Sequence, residues 1–183
     1  MGTLGDDSAV AARTAPRLVL VGPPGAGKTT VGELLADRLD LGFRDTDTDV
    51  EARAGKPVAE IFVSDGEPTF RSMEREAVAE ALRSHTGVLA LGGGAVLDES
   101  TRRALDGHTV VFLDVTHAAA AHRVGLDTAR PLLLVNPRST LRRLLDERRP
   151  QYEEVATAVV PTADASPAEV VEACLAVLGD PLR

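Results

Sequence analysis

Apolar residues along this chain fall into short unbroken runs, and the stretches between the runs carry apolar residues three or four positions apart. Leu18-Val19-Leu20-Val21 is the clearest run. It shows no polar alternation, so it reads as a strand buried on both faces. Val31, Leu34, Leu35 and Leu39 follow at a spacing that lines one helix face. The same reading predicts strands over 18–22, 42–45, 88–91, 109–113 and 156–160. Helices are predicted near 28–40, 65–84, 98–106, 116–124, 138–149 and 167–178. The alternation implies βαβ units, hence an α/β fold with a central parallel five-stranded sheet flanked by helices. In such sheets ligands bind beyond the carboxyl ends of the strands.

Two stretches interrupt the pattern. Residues 47–74 are broken by Gly55, Pro57, Gly66 and Pro68 and read as short helices inserted over the site. Residues 125–137 are bounded by Gly125 and Pro137, carry Arg130-Pro131, and are expected to form a lid. Residues 1–15 have no apolar stretch and read as a disordered tail, which leaves 16–183 as a single domain.

Composition narrows the function classes. The chain is 44% hydrophobic but only 3% aromatic, with no tryptophan, so its core must be Val, Leu and Ala. A net charge of −8 argues against non-specific nucleic-acid binding and against polybasic contact with a membrane. No apolar run approaches the roughly 18 residues of a membrane span. Cys174 is the single cysteine; it reads as a small buried residue and suits a reducing, cytoplasmic setting. The four histidines lack metal-ligand spacing. A monomer is expected.

The strongest chemical signal is Gly22-Pro23-Pro24-Gly25-Ala26-Gly27-Lys28-Thr29, a phosphate-binding loop between a predicted strand and a predicted helix. Its glycines let backbone N–H groups face a phosphate, and the helix start adds the positive end of a dipole. Lys28 is placed for the β- and γ-phosphates, and the Thr29 hydroxyl for Mg²⁺. Lys28 is one of only two lysines, against 18 arginines.

Asp45-Thr46-Asp47-Thr48-Asp49 sets three carboxylates at alternate positions after the second strand. One acidic group near Mg²⁺ and another near an acceptor hydroxyl is what phosphoryl transfer needs. The same residue types also suit a helix N-cap, and Asp47 with Asp49 offers a second register. Gly92-Gly93-Gly94 after the third strand allows a close backbone approach to a ligand. Arg71, Arg130 and Arg148 are candidate anion contacts, although singly each reads as a solvated charge.

Together these motifs resemble the shikimate kinase family, over about residues 17–178. The resemblance is carried by the phosphate loop; Asp45-Thr46-Asp47 with Glu51, Arg53 and Gly55; Asp65-Gly66-Glu67 with Phe70-Arg71; Gly92-Gly93-Gly94-Ala95; Arg130-Pro131-Leu132-Leu133; and Arg148, Pro150 and Tyr152. It implies a P-loop kinase fold with lid and substrate-binding insertions. It also implies transfer of the ATP γ-phosphoryl group to the 3-hydroxyl of shikimate, with Mg²⁺ as cofactor. Asp47, Arg71, Gly92, Gly93, Gly94 and Arg148 would hold shikimate. Gly25, Ala26, Gly27, Lys28, Thr29 and Thr30 would hold the nucleotide phosphates, with Arg123 and Pro167 flanking the adenine. Thr29 and Asp45 would hold the metal, and Lys28, Asp47 and Arg130 would carry the catalysis. The alternatives are another P-loop small-molecule kinase, such as a gluconate kinase, and a nucleotide-dependent switch using Asp114 after the fourth strand.

Overall fold

Four consecutive apolar residues put β1 (Leu18–Val21) in the middle of the sheet, with every side chain buried. In the computed structural model, which describes residues 15–123 and 137–179, five strands pair in the order β2-β3-β1-β4-β5, every pair parallel. The others are β2 (Phe43–Asp45), β3 (Val88–Ala90), β4 (Val110–Asp114) and β5 (Ala158–Pro161). Each lies within two residues of its predicted place at either end.

The period of two along a strand divides the core. Leu18 and Leu20 of β1, with Val111 and Leu113 of β4, face one layer. That layer contains α1 (Lys28–Leu39) and α8 (Pro167–Val177). Val19 and Val21, with Val110 and Phe112, face the other. There they meet α4 (Glu67–Ser84) and Tyr152 of α7 (Pro137–Val155). Cys174 is fully buried, as its apolar setting suggests, and burial pushes its thiol up to about 12. Two shorter helices, α5 (Glu99–Ala104) and α6 (His117–Arg123), complete the layers.

Between β2 and β3 the chain makes α2 (Thr46–Ala54), α3 (Val58–Ser64) and then α4, with breaks at Gly55 and Gly66. This segment has its own small core of Val50, Ile61, Phe70 and Ala77. The expected tail falls almost wholly on residues 1–14, and the expected lid, including Arg130, on 124–136; both lie outside the described residues. Among the described residues no helix is long and apolar enough to cross a membrane.

One boundary is corrected by several residues. A helix was expected to stop at 149, before Pro150, but α7 runs on to Val155. Proline removes one backbone hydrogen bond and disfavours helix before it. Here tertiary packing outweighs that cost: the ring of Tyr152, beyond the proline, is buried and stacks on Phe112 with centroids 5.0 Å apart.

Candidate active site

The phosphate loop sits at the carboxyl end of β1. Gly27 caps α1 with φ of 94°, a left-handed conformation that suits glycine, and the first turn of α1 opens onto the cleft. The Lys28 ammonium donates to the carbonyls of Gly22 at 2.7 Å and Pro23 at 3.1 Å, closing the loop from inside. Gly25, Gly27, Lys28, Thr29 and Thr30 line a cleft of ≈ 470 Å³. Ala26 is buried and faces a side pocket of ≈ 200 Å³ with Arg123 and Pro167. Arg123 donates there to the Thr162 carbonyl at 2.5 Å and reaches the Gly25 carbonyl at 3.4 Å.

Asp45 ends β2 on extended backbone, whereas Asp47 already lies in a helix. α2 begins at Thr46, and Asp45 is its N-cap, accepting the Asp47 N–H at 2.9 Å. The capping reading and the site reading both hold, because the other Asp45 oxygen accepts from the Thr29 hydroxyl at 3.2 Å. Asp47, in the first turn of α2, reaches the same cleft. Asp49 is spent elsewhere, paired with Arg44 at 2.7 Å.

Opposite the phosphate loop the cleft is lined by Arg71, Gly93, Gly94 and Arg148. Neither arginine is the solvated charge that its type suggests. Arg71 donates to Glu74 at 2.6 Å and to Glu67 at 3.1 Å, with its guanidinium over the rings of Phe62 and Phe70. Arg148 is 9% exposed and donates to the Gly93 carbonyl at 3.2 Å. The triplet needs its glycines for close approach. A β-carbon at Gly92 would strike the Asp47 carboxylate, and one at Gly94 the Arg71 guanidinium.

Three side chains given no role in the sequence reading complete this end. Glu74 is buried, and burial pushes its carboxyl above the ordinary value, against the pull of Arg71 and then of Arg148. Its place three residues after Arg71 on a helix is the signal that could have found it. The Thr46 hydroxyl, fully buried, accepts the Gly92 N–H at 3.0 Å. Tyr152 donates to the Gly93 carbonyl at 2.5 Å.

Asp114 does not face this cleft. It lines a separate cavity of ≈ 280 Å³ and takes both ends of the Arg149 guanidinium, at 2.9 and 2.8 Å. Among the described residues no cluster of His, Cys, Asp or Glu could hold a metal unaided. Thr29 and Asp45 nonetheless offer facing oxygens of the kind Mg²⁺ takes, and that ion keeps several waters and binds substrate phosphates besides.

The arrangement joins a phosphate cradle to a pocket with two arginines and a carboxylate. Comparison with known proteins agrees with it. The shikimate kinase family model matches residues 24–179. A shikimate kinase of Salinispora arenicola is 62% identical over 164 residues, covering 90% of this chain and 98% of that protein. One from Thermobifida fusca is 60% identical over 157 residues, covering 86% and 91%. Among solved structures, the shikimate kinase from Acinetobacter baumannii in complex with shikimate superposes with a TM-score of 0.84 at 36% identity, covering 92% of this chain and 96% of that one. The chain belongs to the shikimate kinase family.

Proposed function

We propose that the protein transfers the γ-phosphoryl group of ATP to the 3-hydroxyl of shikimate, giving shikimate 3-phosphate and ADP. The observation that carries this reading is the single cleft in which the phosphate loop faces Arg71 and Arg148 across Asp47 and Gly93. A small polyhydroxy acid fits that chemistry: guanidinium groups pair with a carboxylate, and a carboxylate and backbone groups take ring hydroxyls.

The triphosphate would lie on the N–H groups at the start of α1, with the adenine between Arg123 and Pro167. Lys28, now on two loop carbonyls, would exchange them for phosphate oxygens. Phosphoryl transfer has a loose transition state, so positioning and charge stabilisation dominate. Lys28 supplies one neutralising charge. Arg130, outside the described residues, is assigned a second on the family pattern alone. Mg²⁺ bound by Thr29 and, through water, by Asp45 would neutralise charge shared between the β- and γ-phosphates. Asp47 orients the acceptor hydroxyl and takes its proton. Arg71 and Arg148 hold the acceptor carboxylate, and Glu74 holds Arg71 in place. Closure of the segment 125–137 would exclude water and limit idle hydrolysis.

The buried thiol of Cys174 has no need of an oxidising compartment, which supports a cytoplasmic setting.

Release of ADP from Mg·ATP, measured with shikimate and with gluconate or AMP as control acceptors, tests the reading. Stimulation by shikimate alone is expected. Turnover on a control acceptor, or hydrolysis indifferent to any acceptor, would overturn it.

A further inference from the structure

The chain has one tyrosine and no tryptophan. That tyrosine, Tyr152, is 1% exposed. Its ring lies against Phe112 under β4, at an interplanar angle of 20°. Its hydroxyl points the other way, into the floor of the acceptor end, and donates to the Gly93 carbonyl at 2.5 Å. The same carbonyl accepts from Arg148, one helical turn back on α7, at 3.2 Å. Two donors from one helix thus converge on one oxygen of the glycine turn.

The position is sensitive. Gly93 is wedged against the phosphate loop, since a β-carbon there would lie 3.0 Å from the Pro24 ring. Thr46 fixes the neighbouring Gly92 N–H. The peptide that follows Gly93 is therefore held at its carbonyl by α7, while the residue before it is held by α2. Among the charged neighbours Arg148 acts most strongly on the phenol, the Glu74 carboxylate opposes it, and Arg71 acts less. Burial pushes the phenol up to about 12, so it stays protonated and stays a donor across the physiological range.

We propose that Tyr152 is a positioning residue of the acceptor site: by holding the Gly93 carbonyl beside Arg148, its hydroxyl sets the direction of the Arg148 guanidinium and of the glycine turn, without touching the acceptor. This rests on the shikimate reading of the cleft. Without the hydroxyl, Arg148 is the one remaining side-chain donor to Gly93 among the described residues. It would be drawn onto that carbonyl and away from the acceptor carboxylate.

The test is steady-state kinetics on the wild type, Tyr152→Phe, Arg148→Ala and the double variant, with thermal unfolding of each. Tyr152→Phe keeps the ring and should raise the shikimate KM about tenfold, the loss expected for one hydrogen bond acting through a charged group. The ATP KM should stay within about twofold. In the double variant the tyrosine change should add clearly less than it does alone, because part of its effect passes through the Arg148 side chain. An unchanged shikimate KM in Tyr152→Phe, an equal rise in both KM values, or full additivity would overturn the proposal. A wild type that shikimate does not stimulate would overturn the reading of the cleft itself, which is a separate outcome. Should Tyr152→Phe fold poorly, 3-fluorotyrosine incorporated into the wild type gives a single fluorine resonance. That resonance should move on saturation with shikimate; a resonance indifferent to shikimate would contradict the proposal.

Discussion

At the nucleotide end of the cleft Gly25, Gly27, Lys28, Thr29 and Thr30 follow one another on one strand-to-helix turn. At the acceptor end Asp47, Arg71, Gly93 and Arg148 come from α2, α4, the turn after β3 and α7. The first end is made by backbone conformation: a left-handed glycine, the first turn of a helix, and a lysine folded onto its own loop. The second is made by buried charges that hold one another, Glu74 on Arg71 and Gly93 between Arg148 and Tyr152. A site of the first kind depends on few residues and fails in its chemistry when one is lost. A site of the second kind spreads its precision over side chains that never meet the substrate, and it fails in recognition.

That contrast predicts separable kinetics. The largest effect belongs to Lys28→Ala, expected to cut kcat by about a thousandfold, the scale for losing a charge that acts on the transferring group. The shikimate KM should barely move, and ADP release with a thermal melt checks both.

Next is the alkaline limb of stability. The Tyr152 phenol is raised from its ordinary 10.0 to about 12 by burial. A raised folded-state value means that this contribution is fully present below pH 10 and is lost as pH rises through about 12. It amounts to about 3 kcal/mol. Cys174, raised from 9.0 to about 12 on the opposite face of the sheet, gives a limb of the same sign. Denaturant unfolding across pH 9–12 should show a shallower loss in Tyr152→Phe and in Cys174→Ala. Tyrosine absorbance should report the first alone.

Gly94→Ala is smaller. Its backbone lies in an ordinary helical region, so the cost is crowding against the Arg71 guanidinium. The shikimate KM should rise about tenfold with the ATP KM unchanged. The smallest effect is expected of Asp114→Asn. Arg149 already takes both oxygens of that carboxylate, which does not line the phosphate cleft, so kcat and its magnesium dependence should stay within about twofold. A loss as large as that of Lys28→Ala would revive a hydrolytic switch.

Legibility in the sequence follows the same division. Strand order within the sheet is not written in any local pattern, but the strands themselves are, because a doubly covered parallel sheet needs unbroken apolar runs such as Leu18 to Val21. The phosphate loop is contiguous and was readable at sight. Asp45 was readable as an acid but not as both cap and site, since spacing alone does not say where a strand ends and a helix starts. Arg71 and Arg148 read singly as solvent charges; only tertiary packing reveals the rings, carboxylate and carbonyl that bury them. Glu74, Thr46 and Tyr152 act on other protein groups, so Glu74 falls in no motif, and Thr46 and Tyr152 stand inside motifs that give them no role. The continuation of α7 past Pro150 depends on the Tyr152–Phe112 stack, a contact distant in sequence.

The most direct test of the account is the kinetics of Arg71→Ala under Mg·ATP with shikimate as acceptor. The account predicts a shikimate KM raised by at least about thirtyfold, with the ATP KM within about twofold, as expected for loss of one arm of a charge-paired clamp. A shikimate KM near that of the wild type, or an equal rise in both KM values, would contradict it.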